Sequence, residues 1–383
     1  MSSSDASSSP AVARPSKGRL PVLDGLRGVA ALIVVAYHIF DSDPVNRVNH
    51  GYLAVDFFFM LSGYVMGYAY DDRWGTMSVG SFFKRRLVRL HPMVVVGSII
   101  GALFFYFSAS SLFGIVDRTS FGMLLFSTVL GALLIPSVKS MDVRGWGESY
   151  PLNGPEWSLF FEYLANIAYA FWIRRFRLRT LGVLAALFAG ILAWVILTSE
   201  NGTVGCGWFF TWDHFWKGSI RVLFPFLTGL FLFRLGKTIP MKHAMVFTSL
   251  ALLVAMPMPR IGPAGMPWMN GLYECGILFI LLPLVVLVGA GSRSMTRSGE
   301  RACDFLGELS YPLYLVHYPV HYVFYGWLSD RQPPWSLKAP VAVGVYVSSI
   351  LLGYLVMRFV DKPIRQRLAC FVRCAGQRMV HIC

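Results

Sequence analysis

Residues 27–38 read RGVAALIVVAYH. A run of membrane-spanning character is bracketed by an arginine and a histidine. The two are eleven positions apart, three helical turns and ~16 Å of rise, so Arg27 and His38 share one face of a single helix. Ionisable groups are costly to bury in a bilayer and usually pair with one another or line a functional cavity. In one reading Arg27 holds an anion near one end of the helix and His38 moves a proton near the other. In the other, Arg27 snorkels to the membrane surface and His38 hydrogen-bonds a neighbouring helix.

The rest of the chain supports a membrane setting. Its 383 residues are 55% hydrophobic, 15% aromatic and only 14% charged, with a mean hydropathy of +0.56, too apolar for a soluble domain of this size. Apolar runs recur at 23–41, 52–70, 93–110, 121–137, 156–173, 181–198, 220–235, 243–258, 271–290, 306–328 and 338–357, against the ~20 residues a spanning helix needs. The expected fold is all-α, a polytopic transmembrane helix bundle within residues 21–367, between a disordered Ser-rich head at 1–20 and a short basic tail at 368–383. A formal charge of +14 would suggest nucleic acid in a soluble protein. Here the basic residues sit in alternate loops, so the expected partner is the lipid bilayer, with no nucleic acid.

Those loops set the topology. RRFRLR (174–179), RLGKTIPMK (234–242), GSRSMTRSGERACDF (291–305), the tail RFVDKPIRQR (358–367), the head with Arg14, Lys17 and Arg19, and FFKRRLVRLHP (82–92) are all strongly basic. The positive-inside rule makes every one cytoplasmic. An even number of spans must then lie between the last of these and RRFRLR, yet three apolar runs do. One of the runs at 93–110 and 121–137 is therefore expected to lie in the interface or re-enter, which gives about ten spans with both termini cytoplasmic. Cys303, Cys370, Cys374 and Cys383 fall on the cytoplasmic side and are expected reduced. Cys206 and Cys275 fall near the outer face, where a disulfide between them stays open.

Polar residues inside the apolar runs mark the chemistry. GYLAVDFFFMLSGYVMG (51–67) places Asp56 at the depth of His38, where a carboxylate can orient an imidazole. Ser62, beside Gly63, reads as packing more than as a nucleophile. FFKRRLVRLHP crowds Arg85, Arg86 and Arg89 into one turn, with Pro92 placed to begin the next helix. The cluster is either a solvated loop or a phosphate site. NGPEWSLFFEYLANIAY (153–169) carries Trp157 and Ser158 and buries Glu162 one turn deeper; the tryptophan is an interfacial anchor or a platform for a sugar ring. GELSYPLYLVHYPVHYVFY (307–325) adds Tyr311, His317 and His321. The histidines are four apart, but no third ligand stands at a suggestive spacing, so no metal is expected.

Six stretches, LDGLRGVAALIVVAYH, VDFFFMLSGYVMG, FFKRRLVRLHP, PEWSLFFEYL, GELSYPLYLVHYP and RFVDKPIRQ, together resemble the acyltransferase-3 family of integral membrane O-acyltransferases, in order and over nearly the whole chain. The resemblance implies about ten helices in a bacterial inner membrane. It also implies transfer of an acyl group, usually acetyl, from cytoplasmic acyl-CoA to a hydroxyl of a carbohydrate, glycolipid or other small acceptor. No permanently bound cofactor is implied; acetyl-CoA is a co-substrate. The family's essential arginine and histidine fall on Arg27 and His38, its arginine motif on Arg86 and Arg89, and its Trp-Ser-Leu-x-x-Glu on Trp157, Ser158 and Glu162. Many members append an SGNH-type domain; none follows here, so a second processing step would fall to another protein, and polysaccharide-assembly proteins are the expected partners.

The implied mechanism uses the opening bracket. Arg27, Arg85, Arg86 and Arg89 would hold coenzyme A phosphates at the cytoplasmic mouth. His38, helped by Asp56 or Glu162, would deprotonate the acceptor, in a cavity lined by Trp157, Ser158, Tyr311 and His317. An acyl-enzyme on His38 or Ser62 is the rival mechanism; the sequence does not single out an oxyanion donor, for which Tyr311 and Trp157 are candidates. Two other classes compete: a secondary transporter, which would more often show repeated halves and broken helices, and a noncatalytic partner in polysaccharide assembly.

Overall fold

The computed structural model describes residues 18–40, 49–263, 265–292, 295–368 and 370. The expected disorder of the head falls on residues outside these, as does nearly all of the tail. Eleven helices carry the described chain. They are α1 (Pro21–Phe40), α2 (Leu53–Tyr70), α3 (Val79–Phe104), α4 (Phe121–Ala132), α5 (Glu156–Phe171), α6 (Leu178–Thr198), α7 (Trp212–Leu235), α8 (Ala244–Ala255), α9 (Trp268–Ala290), α10 (Arg297–Arg331) and α11 (Trp335–Leu368). Among the described residues the only strand-like pairing is a single bridge between Glu148 and Phe209. Seven helices, α1, α2, α3, α6, α7, α9 and α11, are long and apolar enough to cross a membrane, so the chain is a multi-pass helical bundle, as its apolar runs require.

Helix starts follow local chemistry. Ser78, Ser120, Thr211 and Thr296 each accept a hydrogen bond from a backbone N–H three residues on, capping α3, α4, α7 and α10. The cap at Ser78 corrects the expected loop at 82–92. The helix begins ahead of the arginines, Arg85, Arg86 and Arg89 lie on α3 itself, and Pro92 sits inside the helix. A charged segment was read as loop, but it is the first three turns of a 26-residue span.

The bundle has two distinct ends. At one, Arg234 grips Asp71 at 2.6 and 3.0 Å, and the Tyr68 hydroxyl donates to the Gly18 carbonyl; this is the basic end. His38 stands towards the other. The pair of runs whose parity conflicted resolves in favour of α3 as the span and α4 as the re-entrant piece. Tyr106, just past α3, donates to Thr119 at 3.0 Å, so α4 starts beside the far end of α3. Its other end is no deeper than Ser98: a Cβ on Gly131 would lie 2.9 Å from the Ser98 hydroxyl, six residues short of where α3 stops. The chain then returns, with Tyr150 donating to the Leu134 carbonyl at 2.9 Å. The other ten helices run between the two ends, which brings both ends of the described chain to the basic side.

Two backbone-to-backbone approaches hold the centre. A Cβ on Gly63 of α2 would fall 1.9 Å from the Phe226 carbonyl oxygen, and one on Gly229 of α7 would fall 1.9 Å from that of Met60. Only glycine permits this closeness. Similarly, Gly28 of α1 would meet Leu306 at 2.5 Å and Gly307 of α10 would meet Asp24 at 2.9 Å. The second approach docks α1 along α10 and so presents His38 to the histidines further up that helix. Cys206 and Cys275 are free thiols, which excludes the disulfide that their depth left open.

Candidate active site

Two cavities lie end to end inside the bundle. The wide one, about 900 Å³, opens at the far end and is lined by His38, Glu148, Trp157, Trp208, Tyr318 and Tyr325 among others. The narrow one, about 90 Å³, lies towards the basic end, among Arg27, Ser62, Arg86, Arg89, Ser158, Glu162 and Tyr311. Val55 and Tyr314 line both. The bracket on α1 thus has one end in each cavity: Arg27 in the narrow one, His38 in the wide one.

His38 is half-buried among aromatic rings. The imidazoles of His317 and His321 stand 5.4 and 5.6 Å away, centroid to centroid, and the Tyr318 ring meets it edge-on at 4.7 Å. Tyr325 donates to its backbone carbonyl at 3.2 Å. Neither expected carboxylate orients it. Asp56 is fully buried and takes two hydrogen bonds from Arg221, at 3.0 and 2.8 Å, because its face of α2 is the one pressed against α7. Glu162 lies lower, accepting from Arg86 at 2.7 Å and from Ser62 at 3.0 Å, and belongs to the arginine cavity. His317 lines neither cavity. It sits behind His38 with Nδ1 3.2 Å from the Leu313 carbonyl.

The basic cavity holds most of what was expected of it. Arg86 is buried, Arg89 is exposed on the same helix, and Arg27 lies 3.8 Å from Asp24. Arg85 is exposed and lines no part of either cavity; it stands a turn before Arg89, nearer the start of α3, beyond the cavity's reach. Tyr311 donates to the Leu90 carbonyl at 2.6 Å. Ser158 is joined to Tyr314 at 2.8 Å, so the hydroxyl pair forms part of the partition between the cavities. Trp157 lines the wide side.

Two charged residues were missed. Arg221 lies inside an apolar run, and a lone charge within a span was signal enough to suspect it. Glu148 sits in the loop between α4 and α5, where nothing in the sequence distinguishes it. Its carboxylate accepts from the Tyr322 hydroxyl, and from Tyr318 at 3.5 Å. Burial pushes its carboxyl up to about 7.

An acyltransferase domain, that of the acyltransferase-3 family, matches residues 20–358. The chain is 26% identical to acyltransferase MdmB of Streptomyces mycarofaciens over 381 residues, covering 91% of this chain and 92% of that one. It is 24% identical to the peptidoglycan O-acetyltransferase OatA of Listeria monocytogenes over 379 residues, 92% of this chain but 57% of that longer protein. Protein 2 in the picA locus of Rhizobium radiobacter is 35% identical over 187 residues, 45% of this chain and 93% of its own length. No solved structure gives a significant match. Both cavities and every helix that builds them lie within the matched span apart from the end of α11, and the chain belongs to the acyltransferase-3 family of membrane acyltransferases.

Proposed function

We propose that the protein carries an acyl group, usually acetyl, from acyl-CoA bound at the basic end to a hydroxyl of a carbohydrate bound in the wide cavity. One observation carries the reading: a cationic cavity and a histidine-bearing cavity abut, sharing the walls at Val55 and Tyr314. Phosphates suit the first, because guanidinium forks bind their oxygens bidentately. A polyhydroxylated, partly apolar ring suits the second, whose wall carries several aromatic rings. The glycan named for the Listeria relative supports the same acceptor class. By the positive-inside rule the basic end faces the cytoplasm of a bacterial inner membrane, where acyl-CoA is made.

The reaction then runs past Tyr314. The acceptor hydroxyl gives its proton to the His38 imidazole as its oxygen bonds the thioester carbonyl carbon. The carbon–sulfur bond breaks, and coenzyme A leaves as a thiolate that takes the proton back. Arg27 and Arg89 hold the donor, while Arg86 is itself held by Glu162. A hydrogen bond to a charged group contributes about 1.5–3 kcal/mol, so Arg89→Ala is expected to raise the KM for acetyl-CoA by about ten- to a hundredfold. Arg85→Ala, one turn before Arg89 on α3 and lining neither cavity, should leave it within about twofold. Steady-state kinetics on the purified proteins tests this. Equal effects of the two substitutions would place the donor elsewhere.

A further inference from the structure

Glu148 is the one carboxylate on the wall of the wide cavity among the described residues. It is 8% exposed and, among those residues, makes no ion pair. Asp56 and Glu162 are each matched to a cation, Arg221 and Arg86, while Glu156 and Glu274, also buried and without an ion pair among those residues, line neither cavity. A buried acid without a cation is costly to keep and is a candidate for function. The nearest guanidinium, that of Arg144, is committed elsewhere. It lies 3.5 Å from the centroid of the Tyr322 ring and donates to Ser108 at 2.6 Å and to the Pro151 carbonyl at 2.8 Å.

The side chain is held firmly but not used up. A carboxylate offers about four acceptor sites, and the hydroxyls of Tyr318 and Tyr322 occupy one on each oxygen. The backbone beneath it is pinned by the bridge from Glu148 to Phe209, with the Ser149 N–H donating to the Trp208 carbonyl at 2.8 Å. That same pairing sets Trp208, and the neighbouring turn sets Trp146, on the wall of the same cavity. Tyr318 ties this group to the catalytic end, since its hydroxyl meets Glu148 and its ring meets His38. Acceptor capacity beside flat apolar rings matches a ring that is polar at its edge and apolar on its face.

Resting on the acyl-transfer reading above, we infer that Glu148 is the residue that selects the acceptor. Its carboxylate accepts hydrogen bonds from the hydroxyls of a neutral sugar that stacks on Trp146 or Trp208 and presents a further hydroxyl to His38. Arg221, Arg260 and Lys338 lie elsewhere on the same wall, so the discrimination is local: a sugar whose acid group falls against Glu148 itself is repelled, and uronic acids are disfavoured in that pose.

The test uses the full chain purified in detergent, acetyl-CoA, and the p-nitrophenyl glycosides of glucose, galactose, mannose, N-acetylglucosamine and glucuronic acid. Wild type should acetylate at least one neutral glycoside in preference to the glucuronide. Glu148→Ala should raise the KM for that glycoside at least tenfold while the KM for acetyl-CoA moves less than twofold. Glu148→Gln keeps the shape, its amide oxygen accepting from one tyrosine while its NH2 must donate to the other, and should narrow the preference for neutral glycosides over the glucuronide whether or not the alanine variant folds. Wild-type transfer with an acceptor KM and preference unmoved in both variants overturns the inference alone. Wild-type protein that hydrolyses acetyl-CoA but acetylates no glycoside and shows no tryptophan fluorescence response to any of them removes the carbohydrate reading, and the inference with it.

Discussion

His38→Ala is expected to lower acyl transfer by about 10²- to 10⁴-fold, the range that removal of a positioned general base costs. The imidazole is half-buried on the wall of the wide cavity, so its truncation leaves no unmatched charge in the bundle, and the variant should elute and unfold as wild type does. The loss should therefore appear in kcat with the KM for acetyl-CoA little changed, because the arginines proposed to hold the donor lie elsewhere, Arg27 three turns away on α1 and the others on α3. Among the described residues no carboxylate pairs with the imidazole; the rings against it are those of Tyr37, His317, Tyr318 and His321. The proton it takes thus rests on a group without a counter-ion, which favours its prompt return to the leaving thiolate. Activity within about threefold of wild type in a correctly folded variant would reduce His38 to a structural role.

Asp56→Ala is expected to have the largest effect on stability. Asp56 is fully buried and Arg221 is 1% exposed, and the pair is bidentate. Removing one partner leaves an uncompensated buried charge, at a cost of about 3–5 kcal/mol. Arg221 also donates to the Cys206 carbonyl at 3.0 Å and to the Tyr52 carbonyl at 3.3 Å, so the unpaired guanidinium would pull on the loops that rim the wide cavity. Thermal unfolding in detergent should show the single variant well below wild type. The double variant Asp56→Ala with Arg221→Leu should recover part of the loss, because it removes the stranded charge as well. A double variant no better than the single would mean that the pair contributes through packing and loop contacts rather than through charge matching.

How far the sequence carried these conclusions depends on which physical signal each residue leaves. The helices were legible because a bilayer imposes length and apolarity on each of them separately, and the parity of basic loops predicted one re-entrant piece. Its position was not legible, since the depth reached by α4 is decided by Ser98 across from Gly131 and not by its own composition. The start of α3 was misplaced because charge was read as loop, although Ser78 stood ready as a cap. In the site, Arg27 and His38 were legible because eleven residues on a helix fix a common face. The partners of Asp56 and Glu162 were not: depth gives the level of a side chain, and only the packing of α2 on α7 and of α3 beside α5 says what it faces. Glu148 is the extreme case, a loop residue whose meaning comes entirely from the tyrosines of α10.

In the proposed reaction donor and acceptor enter from opposite ends and meet at Tyr314. Reconstitution in sealed vesicles of defined orientation tests it most directly, with acetyl-CoA supplied on one side and a glycoside acceptor on the other. Product is expected only when acetyl-CoA is on the side of the basic end and the acceptor is on the side of His38. Full transfer with both substrates confined to the His38 side would contradict it.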